Sequence, residues 1–303
     1  MKDIHRLETI TQAHEFMGVE KPKHPLVSIF CHEKMYSNRE LIGKAVTTDM
    51  YQVVYKMNTD GSFGYGRNTY DFQEGTMLFL KPGQVITMPE WEFNESNGGW
   101  SLFFHPDLIR KSPLGHIIDD YSFFSYDANE ALHLSDDEKQ TIAELRDKIV
   151  KEYSLNIDKH SQKLIVGSIE MMLDYCTRFY DRQFYTRENI NKDLVSKFEH
   201  LLKKYYNSGL ALKEGVPTVK YCGAELNISG NYLSDLLKKE TGRNAQDHIH
   251  SFVIEQAKNR LVNSTNTVSE IAYDLGFEYP QYFSRLFKKK TGQTPLAYRT
   301  ALN

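Results

Sequence analysis

The feature of this chain that most narrows its possible folds is an internal repeat. Val219 to Gly242 (VKYCGAELNISGNYLSDLLKKETG) aligns with Val268 to Gly292 (VSEIAYDLGFEYPQYFSRLFKKKTG) at an offset of 49, rising to 50 after a one-residue insertion in the turn. Two copies of one small helical unit are implied. Each opens with a short helix centred on a small residue, Gly223 or Ala272, and runs to Leu226 or Leu275. A tight turn follows at Asn227 or Gly276, with an apolar plug at Ile228 or Phe277, and a second amphipathic helix comes next. The small residue lets the two helices cross closely, as a helix-turn-helix requires.

Signals at the helix ends agree. Thr267-Val-Ser-Glu270 is a capping box, Pro280 suits a first helical turn, and Gly242 and Gly292 supply left-handed stops. Both second helices end in basic clusters, Lys238-Lys239 and Lys288 to Lys290. Between the copies, Ile249, Phe252, Val253, Ala257 and Leu261 trace one long helix with a buried stripe, which would hold the units at a fixed spacing. Such spacing lets two helices enter successive major-groove segments about 34 Å apart.

Charge supports placing a polyanion contact in this part. Residues 187–303 carry 17 Lys and Arg against 12 Asp and Glu, whereas the rest of the chain carries 20 against 28. The net −3 therefore divides into +5 and −8. At 303 residues two domains are expected. No apolar stretch approaches the length that crosses a bilayer, and charged residues interrupt Met1 to Gly18, so no membrane contact and a cytoplasmic location are expected. Cys31, Cys176 and Cys222 are far apart and read as reduced thiols.

Ahead of the repeat the pattern differs. From Pro25 to Phe104 short runs rich in β-branched and aromatic residues (Leu26–Phe30, Gln52–Met57, Thr76–Leu80, Trp100–Phe104) alternate with Gly, Pro and Asn clusters, as in a closed antiparallel β domain. The tract Gly61 to Asn68 reads as turns, without the context of a phosphate loop. Ser135 to Glu138 is a capping box ahead of Ile142, Leu145, Ile149 and Tyr153 at helical spacing. A second helical pattern spans Gln162 to Tyr180 and is apolar on more than one face, fitting either burial against a partner subunit or packing within the domain alone. The polar residues 181–192 form the best linker, and a helix carrying Leu194, Phe198, Leu201, Leu202 and Tyr205 stops at Asn207-Ser-Gly209.

On these residues the chain from 193 to 302 resembles the AraC-type transcription regulators. Ile271 to Phe277, Tyr282 to Lys288, Thr291-Gly292, Thr294-Pro295 and Tyr298-Arg299 match that family's second helix-turn-helix almost throughout. The first unit matches at Leu226, Ile228-Ser229, Tyr232 to Ser234, Leu236 and Lys238 to Gly242, but departs at Gly223, where alanine is common, and Gly230, where proline is frequent. Both glycines are expected to cost helix stability and soften that unit. The resemblance implies base-facing Asn231, Ser234 and Asp235 in the first reading helix and Gln281, Ser284 and Arg285 in the second. Gln281 suits adenine and Arg285 guanine, while Asp235 accepts from cytosine yet repels phosphate. Lys238, Lys239, Lys288 and Lys289 are expected near phosphates. Tyr232 and Tyr282 fit either core or phosphate contact.

The β-rich part resembles, less specifically, a cupin-like sensory domain, at Glu74-Gly75, Lys81 to Gln84, and Gly99-Trp100 with Phe103 to Asp107. The expected architecture is thus α+β in two domains. Residues 1–186 form a cupin-like β-barrel (about 25–134) followed by helices (about 135–183), and residues 187–303 an all-α domain with two helix-turn-helix units joined by a linker helix. The implied partners are double-stranded promoter DNA, RNA polymerase, a small-molecule effector and a second copy in a homodimer; the barrel serving for dimerisation alone is the other reading. A cupin-type enzyme with a helical appendage is disfavoured, because the barrel region holds no H-x-H pair with a carboxylate. His248-Ile-His250 stands at a helix start without further ligands, and His105 reads as structural. No catalytic residue, metal or cofactor is expected.

Overall fold

A computed structural model describes residues 4–32, 44–56, 63–65, 68–70, 75–87, 99–127, 130–155, 158–186 and 188–302. Part of the turn tract Gly61 to Asn68, and Glu74, lie outside them. The chain divides into two units, Met1–Thr186 and Arg187–Asn303.

The first unit runs β1 (Ile4–Leu7), α1 (Ile10–Met17), β2 (Val27–Cys31), β3 (Ala45–Thr48), β4 (Tyr51–Lys56), β5 (Phe63–Tyr65), β6 (Asn68–Tyr70), β7 (Thr76–Leu80), β8 (Val85–Thr87) and β9 (Gly99–Phe104). Then come α2 (Pro106–Ile109), α3 (Pro113–Ile117), β10 (Leu132–His133), α4 (Asp136–Ser154) and α5 (Ser161–Thr186). One sheet has the order β10-β7-β4-β9-β2 and is antiparallel throughout; a second has the order β1-β3-β8, and β5 pairs with β6.

Register separates the two faces of the larger sheet. Ile29, Leu102, Val53 and Phe79 stand in one cross-strand row. On that apolar face, Met77 Sδ lies 3.9 Å from Cys176 Sγ of α5, and the Phe79 and Tyr180 rings are 6.2 Å apart. Strand β2 is the last in the order, and Tyr153 of α4 takes up its backbone there: the phenol accepts from Ile29 N–H at 3.2 Å and donates to Ile29 C=O at 3.1 Å.

The opposite face is buried yet carries Ser28, His32, Gln52, Lys56, Thr76 and Ser101 among its apolar residues. Phe30 and Phe103 on this face pack with Leu7, Ile10, Val46 and Met50. His14 Nε2 lies 2.8 Å from Ser28 Oγ, and His32 Nε2 2.8 Å from Ser101 Oγ. Burial, with Lys56 nearby, pushes the His32 imidazole down to about 4.

Helix α4 starts at the expected capping box, with Glu138 N–H donating to Ser135 Oγ at 3.4 Å and Ser135 N–H to Glu138 Oε2 at 2.8 Å. The stretch 181–192 expected as a linker does hold the boundary between the two units, but it is helical on both sides: α5 continues to Thr186, and α6 (Glu188–Asn207) includes residues 188–192. The polarity of this stretch has an internal use. Gln183 accepts from His133 N–H at 2.8 Å and donates to Ala131 C=O at 3.2 Å, while Arg182 binds both Glu138 oxygens at 2.8 Å. A polar run satisfied in this way belongs to a packed helix.

The second unit is helical: α6, α7 (Leu210–Glu214), α8 (Val219–Glu225), α9 (Gly230–Thr241), α10 (Ala245–Asn263), α11 (Val268–Asp274), α12 (Pro280–Thr291) and α13 (Pro295–Leu302). One core joins Phe198 and Leu202 of α6, Cys222, Leu233 and Leu237 of the first helix pair, Ile249 to Leu261 of α10, and Ile271, Phe283 and Phe287 of the second pair. The repeat recurs in the hydrogen bonds. Ile228 N–H donates to Gly223 C=O and Phe277 N–H to Ala272 C=O, both at 3.0 Å; Gly242 N–H donates to Lys238 C=O and Gly292 N–H to Lys288 C=O, both at 2.9 Å. The Thr241 and Thr291 hydroxyls donate to the Leu237 and Phe287 carbonyls at 2.7 and 2.8 Å.

Both turns use left-handed backbone, with φ of 58° at Asn227, the one non-glycine with positive φ among the described residues, and 89° at Gly276. Gly223 has a steric reason as well. A Cβ there would lie 2.6 Å from the Ile228 carbonyl oxygen and 2.9 Å from Gly230 N, so the turn closes onto bare backbone. The close crossing expected of a small residue at this point is thus present, and it sets against the helix-propensity cost of Gly223 a contact that a larger residue would obstruct.

Candidate nucleic-acid interface

Helices α9 and α12 each bury one face and expose another. In α9, Tyr232, Leu233, Leu236 and Leu237 are buried. Asn231, Lys238 and Lys239 are exposed, and Ser234 and Asp235 half-buried. In α12, Phe283 and Phe287 are buried, Gln281, Arg285, Lys288, Lys289 and Lys290 are exposed, and Ser284 is half-buried. Residues spaced four and then three apart share a helix face. Asn231, Asp235 and Lys238 therefore form one stripe, and Gln281, Arg285 and Lys288 form the matching stripe of the second copy.

The two copies differ where the sequence left a choice. Tyr232 is 7% exposed and belongs to the core; Tyr282, its counterpart, is 54% exposed. Ser234 Oγ accepts from Ala245 N–H at 3.3 Å, joining α9 to the start of α10. At the position equivalent to Ala245 the second copy has Pro295, which has no N–H, so Ser284 has no such partner there.

Of the lysines closing α12, Lys290 is tethered: its ammonium lies 3.1 Å from Asp247 Oδ1 of α10, and this pairing holds the Asp247 carboxyl below its ordinary range. Lys288 and Lys289 stand exposed beside it. Residue counting did not single out this ion pair, since nothing local marks a contact across 43 positions.

Sequence reasoning also passed over Tyr279. It sits at the N-cap of α12, 48% exposed, with no capping hydrogen bond from its side chain. Its ring meets that of Tyr282 edge-on at 5.6 Å, and a hydrogen bond to Glu278 raises its hydroxyl above the ordinary phenol range. The signal was available, because the equivalent residue of the first copy is Ser229, whose Oγ accepts from Tyr232 N–H at 3.1 Å.

His248 and His250 turn to separate partners, Thr241 Oγ1 at 2.7 Å and Gln246 Nε2 at 2.6 Å. Burial lowers both imidazoles. His105 caps α2, its Nδ1 accepting from Asp107 N–H at 3.2 Å. No group of three metal-ligating side chains occurs among the described residues, and no helix there is long and apolar enough to cross a membrane.

This part of the chain is similar to known proteins. A family model described as a helix-turn-helix domain matches residues 222–301. The uncharacterized HTH-type transcriptional regulator YijO of Escherichia coli K12 is 27% identical over 235 residues, which cover 74% of this chain and 76% of YijO. YfiF of Bacillus subtilis, named in the same way, is 23% identical over 266 residues, covering 82% of this chain and 76% of its own. Among solved structures, the C-terminal domain of the response regulator yesN from Fusobacterium nucleatum is 31% identical, over 33% of this chain and 96% of that one, with a TM-score of 0.30.

Proposed function

We propose, from the premise that this chain is a DNA-binding transcription regulator carrying an AraC-type helix-turn-helix domain, that it binds promoter DNA through two helix-turn-helix units, α8–α9 and α11–α12. The observation that carries this reading is the recurrence of the same backbone hydrogen bonds 49 to 50 residues apart, with a reading stripe exposed on the second helix of each pair. A core shared through α10 supports a fixed spacing between them, as two successive major-groove segments demand.

Gln281 and Arg285 are the stronger readers, each bidentate partner being worth about 1–3 kcal/mol of discrimination. Asn231, Ser234, Asp235 and Ser284 read beside them, Ser234 and Asp235 with less reach because they are half-buried. Lys238, Lys239, Lys288 and Lys289 neutralise phosphates, which adds affinity without sequence choice.

The first unit is the sensing and dimerising part: a cupin-like barrel built from its two main sheets, answering a small-molecule effector from the cytoplasm, with RNA polymerase contacted from the promoter. Selection of bound duplexes by the full chain from a random pool, followed by titration of the selected site at several salt concentrations, tests the reading. A defined motif with a steep salt slope is expected, whereas binding without sequence preference would refute it.

A further inference from the structure

We propose that Tyr279 is a specificity-determining contact whose ring packs on the C5 methyl of a thymine. The inference rests on the reading of α12 as a groove-entering helix and adds a reader that its stripe does not contain.

The argument starts from a local loss. At a helix N-cap a serine side chain accepts from one of the unpaired N–H groups, and Ser229 does so in the first copy. The second copy places tyrosine at the same point and forgoes that bond; in its first turn Tyr282 N–H is satisfied by the Tyr279 carbonyl at 3.0 Å. Nothing in the core recovers the loss, because the Tyr279 ring is half out in solvent rather than packed beneath the helix. Among the described residues its ring neighbour is Tyr282, itself exposed, and the edge-on contact at 5.6 Å holds both rings on the surface.

The two tyrosines flank Gln281 at the N-terminal end of α12, the end of a recognition helix that meets base edges. The thymine methyl is the apolar group that a major groove offers at its base edges. A pre-oriented aromatic ring at this end suits it, with little side-chain freedom left to lose on contact.

The test uses the full chain and a selected duplex in which each thymine is replaced in turn by deoxyuridine, which lacks only the methyl. The wild type is expected to lose about three- to fourfold in affinity at one thymine, as burial of a single methyl implies. Tyr279→Ser should bind the parent duplex more weakly and show no change at that thymine. Its melting midpoint should rise, because serine restores the cap.

An unchanged deoxyuridine profile in Tyr279→Ser, or a wild type indifferent to every thymine methyl, overturns the proposal. So does a lower midpoint accompanying the weaker binding, which assigns Tyr279 to packing. Arg285→Ala run alongside separates the two levels. If it leaves base preference intact, the placement of α12 fails; if it relaxes preference while Tyr279→Ser does not, only the tyrosine contact fails.

Discussion

Replacing Gly223 by alanine sets a gain in helix propensity against a larger steric cost. Inside an exposed helix the exchange gains about 0.8–1 kcal/mol of helix propensity. At this position the new Cβ would lie 2.6 Å from the Ile228 carbonyl oxygen, 2.9 Å from Gly230 N and 3.1 Å from the Ser229 carbonyl carbon. All three are backbone atoms of the turn. They cannot swing aside as a side chain would, because Ile228 N–H is bonded to Gly223 C=O at 3.0 Å and Ser229 caps α9. Overpacking of this kind costs about 1–3 kcal/mol, and rigid neighbours argue for the upper end. A net loss of about 2 kcal/mol follows, or a fall of about 8 °C in the melting midpoint of a domain this size.

The full chain provides its own control. Trp91 and Trp100 are its 2 tryptophans, and both lie in the first unit. The transition seen by tryptophan fluorescence should stay in place, while the second unit's share of the far-UV circular dichroism change, to which α4 and α5 of the first unit also contribute, moves down. A midpoint equal to or above wild type would mean that the turn yields and propensity decides, and the steric argument would be wrong.

Three other outcomes are expected. Arg285→Ala should relax preference at one base position by about 1–3 kcal/mol of discrimination, while Lys288→Ala weakens all duplexes alike and lowers the salt slope by about 0.9; equal behaviour of the two in titrations would contradict their roles. Unfolded His32 takes its proton near the ordinary 6.5, but in the folded first unit it does so only at about 4. Stability present above pH 6.5 is therefore lost progressively as pH falls through that window, by up to about 3 kcal/mol. Denaturation midpoints read from tryptophan fluorescence should show it, and His32→Gln should flatten the dependence. Tyr153→Phe removes both hydrogen bonds to Ile29 and should destabilise the first unit by about 1–3 kcal/mol in urea titrations; no loss would mean that water replaces the phenol.

The second unit was legible because its information is local and repeated. Capping boxes, left-handed glycines and the apolar stripe of α10 act within a few residues, so the repeat located two helix pairs, found at α8–α9 and α11–α12, whereas the residues expected to face DNA came from the family resemblance. The short apolar runs ahead of them located β2, β4, β7 and β9 for the same reason.

What depends on residues distant in the chain had to wait for the fold. Arg182 and Gln183 resemble a linker until β10 and α4 are placed against them. Tyr232 and Tyr282 are identical in sequence position, yet one is buried and one exposed. Strand periodicity puts Gln52 and Lys56 on one face of β4, but only the pairing with β7 and β9 brings Thr76 and Ser101 to that same face. Propensity and capping are short-range terms written along the chain, whereas burial and cross-strand pairing are set by which surfaces meet in three dimensions.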